Sequence, residues 1–199
     1  VIWLVRHAQP LIAPGVCYGA LDVPADGDAT QQAANGLAQR LSPGARVQVS
    51  PLLRCQQLAH ALQALRPDLF FQTEGRLAEM NFGTWEGQRW DALPPEAFDA
   101  WTHDFWRYRV GGGECVADFM GRVAEVWDAA RAASLADVPQ VWITHAGVIR
   151  GARLIASGQR EVHSAAEWPA DAPGYGQCWR YQAPSIWLTC MNPERRSES

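Results

Sequence analysis

The sequence predicts an α/β protein, a three-layer α/β/α sandwich around a mostly parallel central sheet, on three observations. Short apolar or β-branched runs alternate with segments of helical periodicity, the pattern that parallel sheets require. Two junctions, "VIWLVRHAQP" and "QVWITHAGVIR", repeat one order of strand, histidine and small-residue turn. No internal repeat or linker divides the 199 residues, so one domain over 1–199 is expected, with an insertion at about 80–114.

Each element follows in order. Val1–Val5 reads as a fully buried strand, and a Gly-, Pro- and Asp-rich loop then runs to about Asp28. "DATQQAANGLAQRL" has apolar positions at helical spacing. "ARVQVSP" is a short strand, and "LLRCQQLAHALQAL" an amphipathic helix for which Pro51 suits the first turn. "LFFQTEG" begins as a strand and passes into a tryptophan-rich, irregular stretch closed by three glycines, expected to lie over the sheet edge. "ECVADFMGRVAEVWDAARAASLA" is the most regular helical pattern, "VPQVWITHAGVIRGARLIA" a strand, a histidine and a helix, and "CWRYQAPSIWLTCMN" two closing strands. "EWPADAPGYG" reads as an exposed loop.

Composition narrows the function. Hydrophobic residues are 48% and charged residues 19%, ordinary for a soluble protein, and no apolar run approaches the ~18 residues of a membrane span. No basic segment or small-residue cleavage site precedes the first strand, so a cytoplasmic location is expected. Five dispersed cysteines without a Cys-x-x-Cys pair signal neither a disulfide framework nor a zinc site, and are expected to be reduced and structural. The net charge of −4 argues against a nucleic-acid surface. All 17 basic side chains are arginine, so a ligand anion would meet guanidinium forks.

Three strand ends carry conspicuous polar residues: Arg6 and His7, then Ser50 to Arg54, then His145. In a parallel sheet such ends share one crevice. Any one of these residues alone is more simply structural, but two imidazoles and two guanidiniums gathered together would repel unless an anion lay among them. Guanidinium geometry matches phosphate, and the set is too poor in carboxylates for a metal.

The motifs "LVRHAQP", "SPLLRCQQLA", "LAEMNFGTWEG" and "ITHAGVIR" resemble, in order, the four motifs of the histidine phosphatase superfamily, which also contains cofactor-dependent phosphoglycerate mutases. The resemblance spans about residues 1–155 and implies that His7 is the nucleophile that becomes a phosphohistidine. It implies that Arg6, Arg54 and His145 hold the phosphoryl group and that Glu79 is the proton donor, chosen over nearby Glu74 and Glu86 by its motif context. No cofactor and no metal are implied. The expected partner is a small-molecule phosphate ester, not nucleic acid or a membrane, and the expected state is a monomer or homodimer. Physical chemistry fits these roles: an imidazole near guanidiniums stays unprotonated, and those cations stabilise charge spreading over the transferring phosphoryl oxygens. In the loop after Glu79, Gly83 and Gly87 are expected to take backbone angles closed to other residues, and Trp85 to be core.

The first motif departs from the family's usual Arg-His-Gly and its hydroxyl and amide ligands, with Ala8, Gln9, Pro10 and Ala13 in that stretch. Gln9 is the candidate replacement donor to phosphate. The stretches "GVCYGALDVP" and "EMNFGTWEGQRWDALP" most resemble alpha-ribazole phosphatases, which act in cobalamin biosynthesis. That resemblance implies alpha-ribazole 5′-phosphate as substrate; Trp85, Trp90, Trp101 and Trp106 would suit its aromatic base by stacking, although ten tryptophans in one chain more often mean packing. A second anionic group on a substrate would need more cations, for which Arg89, Arg107 and Arg109 are the neighbouring candidates. Two other readings stand beside the phosphatase: mutase-type phosphoryl transfer, and a phosphate-binding module without turnover.

Overall fold

A computed structural model of the chain describes residues 1–134, 138–182 and 186–190. Its elements are β1 (Ile2–Arg6), α1 (Gly27–Ala38), β2 (Arg46–Val49), α2 (Leu53–Leu65), β3 (Phe70–Thr73), α3 (Pro95–His103), α4 (Val116–Ser134), β4 (Gln140–Thr144), α5 (Ala146–Ala156), β5 (Cys178–Gln182) and β6 (Ile186–Cys190). Residues 135–137, 183–185 and 191–199 of the expected elements and domain lie outside the described residues. The six strands form one sheet in the order β3-β2-β4-β1-β5-β6. The four strands from β3 to β1 are mutually parallel, and the last two pairings are antiparallel. The mostly parallel α/β fold predicted from the alternation is the one observed.

Strand periodicity sorts the core into two layers. Trp3 and Val5 of β1, with Val47, Val49, Val141 and Ile143, pack against Leu37 of α1 and Leu58 and Leu62 of α2. Ile2 and Leu4, with Trp142 and Tyr181, face the other way, onto Val123 and Trp127 of α4 and Ile149 of α5. So α1 and α2 cover one face, and α4 and α5 the other. This division places the site. Adjacent strands β1 and β4 pair in register from Ile2 with Gln140 to Arg6 with Thr144, yet the helices that follow them, α1 and α5, leave to opposite faces. The carboxyl ends of two such strands open a crevice.

Two sequence expectations are corrected. Pro51 is not in the first turn of α2, because Leu52 is its N-cap; the Leu53 N–H is instead taken by Asp22 Oδ1 at 2.6 Å. The stretch at about 80–114, expected over the sheet edge, packs instead on α4. Its buried Trp85, Leu93, Phe105 and Val110 share one apolar cluster with Val116, Phe119 and Met120 of α4, so it builds outward from the α4 and α5 layer. Trp85 is buried core, and Gly83 and Gly87 have φ of 56° and 82°, as expected. No helix among the described residues is long and apolar enough to cross a membrane. Cys17, Cys55 and Cys115 are buried free thiols.

Candidate active site

The crevice between β1 and β4 holds a cavity of about 170 Å³ lined by Arg6, His7, Arg54, Glu79 and His145, together with Val16, Tyr18, Trp90 and Ala146. Five of the six residues singled out from the sequence thus meet in one place. Gln9 does not join them: its side chain is exposed, and its carbonyl accepts the Asp26 N–H, which steers the chain into α1.

His7 is held by its backbone from both sides, its N–H donating to the Thr144 carbonyl and its carbonyl accepting from Gly176, each at 3.0 Å. Its Nδ1 lies 2.7 Å from the Ala8 carbonyl. A carbonyl only accepts, so Nδ1 carries the ring proton and Nε2 keeps its lone pair. Burial, with smaller contributions from Arg54 and Arg6, lowers the pKa of His7 from 6.5 to about 3. The guanidiniums act in the direction expected from the sequence, but loss of solvent is the larger cause.

His145 follows β4 and N-caps α5. Its Nε2 lies 2.7 Å from Ser50 Oγ, at the end of β2, and its Nδ1 accepts from Arg54 Nε–H at 3.3 Å. A guanidinium only donates, so the proton is on Nε2 and points at Ser50. Burial first, then Arg54 and His7, hold the pKa of His145 well below 6.5. The two imidazole centroids are 5.1 Å apart. Ser50 is the partner that orients the second imidazole.

The cations are unevenly satisfied. Arg54 is fully buried, its Nη1 and Nη2 donating to the carbonyls of Leu21 at 2.9 Å and Gly19 at 2.6 Å. Arg6 donates to the Pro173 carbonyl at 3.0 Å and lies 3.8 Å above the Tyr175 ring, while its buried Nε has no hydrogen-bond partner. Among the described residues neither guanidinium has a bonded carboxylate. An anion entering the cavity would satisfy both.

Glu79 reaches this place because the chain after edge strand β3 crosses the sheet. The Glu74 N–H donates to the Val49 carbonyl at 2.8 Å, and Thr144 Oγ1–H to that of Leu77 at 2.8 Å. The carboxylate then accepts from Gly147 N–H at 2.9 Å and Met80 N–H at 3.1 Å. Of its rivals, Glu74 is bound to Arg76, and Glu86 accepts the N–H groups of Ala20, Leu21 and Phe82. Neither lines the cavity.

Sequence reasoning missed four contributors. Tyr18 and Tyr175 meet hydroxyl to hydroxyl at 2.9 Å, and the loop "EWPADAPGYG", largely exposed as expected, also brings Tyr175 against His7 and so walls the site. The local signal was a tyrosine followed by glycine in both loops; at Gly19 a side chain would strike the Met80 carbonyl, so the loop passes there only as glycine. Arg150 is the third, and Trp168 the fourth. Both line a second cavity of about 370 Å³ that shares Tyr18 and Glu79 with the first and is otherwise walled mainly by Phe82, Trp101, Phe105 and Phe119. The cations proposed for a second anion are elsewhere: Arg89 pairs with Asp91 and Arg109 with Asp118, and Arg107 is exposed. Of the four tryptophans proposed to stack a base, Trp101 lines this second cavity and Trp90 the first, while Trp85 is core and Trp106 packs on His163. Among the described residues no three His, Cys, Asp or Glu side chains gather as a metal would require.

Comparison with known proteins agrees with this fold. Residues 2–169 match the histidine phosphatase superfamily (branch 1). A structure of TTHB049 from Thermus thermophilus is 27% identical with a TM-score of 0.68, over 94% of this chain and 96% of that one. A phosphoglycerate mutase from the same organism is 28% identical with a TM-score of 0.67, over 94% and 95%. A mycobacterial glucosyl-3-phosphoglycerate phosphatase, 24% identical over 89% and 87%, shares the fold with a TM-score of 0.72. No curated protein matches significantly.

Proposed function

The chain belongs to the histidine phosphatase superfamily (branch 1), and we propose that it is a phosphomonoesterase that works through a phosphohistidine, without metal or cofactor. One observation carries this reading: His7, whose Nε2 keeps its lone pair, lines a cavity with one carboxyl group, Glu79, and with two guanidiniums that have no bonded carboxylate among the described residues. His7 Nε2 attacks phosphorus in line, the P–O bond to the leaving group breaks, and Glu79 gives that oxygen a proton. Arg6 and Arg54 hold equatorial oxygens, and His145 joins them by turning its Nε2–H from Ser50 to the entering anion. Water then attacks the phosphohistidine, giving its proton to Glu79 and releasing phosphate.

The substrate we propose is alpha-ribazole 5′-phosphate, in cobalamin biosynthesis. Its support is the motif context around Tyr18 and Glu79 and the aromatic cavity beside Glu79, which suits one phosphate attached to an apolar base. The aromatic wall favours this over a small polyanion. Mutase-type transfer is the second reading, favoured by the mutase that is 28% identical to this chain. The buried free thiols suit a reducing compartment, and we place the protein in the cytoplasm.

The test is to quench the enzyme with a labelled ester. Label on protein that is acid-labile, base-stable and lost in His7→Ala is expected, with continuous phosphate release that survives EDTA and is inhibited by vanadate. An acid-stable label, or one kept by His7→Ala, overturns the mechanism. Comparing kcat/KM for alpha-ribazole phosphate, a simple nucleoside monophosphate and 3-phosphoglycerate tests the substrate, with a lead of about tenfold expected for the first.

A further inference from the structure

We propose that the 370 Å³ cavity seats the leaving group of the substrate and that Arg150 reads a hydrogen-bond acceptor on the edge of a flat, apolar group there. The inference rests on the phosphomonoesterase reading for its orientation, since Glu79 is shared by both cavities and marks where the scissile oxygen must lie.

The walls are preformed. Trp101 stacks on Phe105 at 5.6 Å and 14°, and Trp168 from the 165–170 segment packs against Phe105 at 6.5 Å and Phe119 at 6.2 Å. Rings that hold one another keep a slot open at little entropic cost, and a flat apolar group gains from burial between them. Such a slot alone would choose by shape only.

Arg150 adds direction. It stands one helical turn after Gly147, whose N–H holds Glu79, so it faces the same side of α5. Its Nη2 donates to the Ala170 carbonyl at 2.7 Å, and among the described residues this is its one hydrogen bond and it has no ion pair. Its Nε is buried without a hydrogen-bond partner. Burial lowers its pKa, with Glu79 and Asp171 opposing at longer range. A guanidinium left this poorly satisfied in an aromatic cavity is costly, and a ligand acceptor offsets that cost. A donor on the ligand, or a positive charge, would add to it. The required group is therefore an aromatic ring with an unprotonated ring nitrogen or carbonyl, and without fixed positive charge.

Two probes isolate the acceptor: benzimidazole riboside 5′-phosphate and indole riboside 5′-phosphate. They share shape, phosphate and leaving alkoxide, and differ in one ring nitrogen replaced by C–H. The wild-type protein should bind the benzimidazole probe about tenfold more tightly by calorimetry, and turn it over with a similar advantage in kcat/KM. In Arg150→Met the two probes should become equal, and retained hydrolysis of p-nitrophenyl phosphate shows that the variant folds. Equal dissociation constants in the wild type overturn the inference without any variant. A preference that persists in Arg150→Met overturns it as well, and an equal loss on both probes shows that Arg150 only tethers the 165–170 segment. Preferential binding without phosphate release would leave the cavity inference standing and remove the phosphomonoesterase reading.

Discussion

Glu79 Oε2 accepts the N–H of Gly147 at 2.9 Å, and Gly147 has no Cβ because one would fall inside contact distance of that same carboxylate. The general acid of the proposed reaction is thus seated on the first turn of α5, two residues after His145. Glycine at 147 serves the position of a side chain from another part of the fold.

Gly147→Ala should therefore move the Glu79 carboxylate and leave the fold intact, since the obstructed atoms are the free end of a side chain. Single-turnover rates on an alkyl phosphate should fall by about tenfold or more, with little change in Tm. A large drop in Tm would mean that the helix and not the carboxylate gives way.

Glu79→Gln should cost about 10²–10⁴-fold with alkyl phosphates and far less with p-nitrophenyl phosphate, whose leaving group needs no proton. Glu74→Gln should change neither rate much. Glu86→Ala leaves the N–H groups of Ala20, Leu21 and Phe82 without their acceptor, so it should lower Tm in place of the acid step. Equal losses on both ester types in Glu79→Gln would assign Glu79 to structure.

Arg122 ties the Glu79 segment to Glu114, with three donors on the carbonyls of the one and two on the carboxylate of the other. Nη1 donates to the carbonyls of Arg76 and Ala78, Nη2 to that of Glu79 and to Glu114 Oε2, and Nε to Glu114 Oε1. Lysine cannot reproduce that fork. Arg122→Lys should lower stability by about 2 kcal/mol, roughly 4–8 °C in Tm, and alkyl phosphatase rates with it. Rates on p-nitrophenyl phosphate should fall less, which separates a displaced Glu79 from general loosening.

Stability should fall in mild acid. The folded-state pKa of His7 is about 3 and that of His145 also lies well below 6.5, whereas in the unfolded chain both return to about 6.5. In the window from about 6.5 down towards 3 the unfolded chain binds more protons, so stability is complete above it and is lost as pH drops through it. Tm should decline from about pH 7 to pH 5, and His7→Gln should flatten the decline. An unchanged slope in that variant would mean that His7 is not the neutral buried group described here.

The site was legible where one strand end carried it. "LVRHA" and "ITHAG" placed His7 and His145 because an apolar run must end at the sheet rim, and Arg54 came with the turn after β2. Glu79 was legible from its motif, but no local pattern separates it from Glu86. Their difference arises because the chain crosses β2 and β4 before it reaches the rim, which points one carboxylate at the cavity and buries the other among backbone N–H groups.

Periodicity and strand-end residues by themselves determined the alternating α/β order, the parallel core and the meeting of Arg6, His7, Arg54 and His145 in one crevice, because side-chain direction in a strand or helix repeats with a fixed local period. Tertiary structure alone decided the rest. Tyr18 and Tyr175 meet across 157 positions of sequence, Arg150 turns into an aromatic slot shared with Trp168, and Gln9 turns away from the cavity. These depend on how loops pack over the sheet, where contacts between distant segments, with no period to betray them, set each side chain's direction.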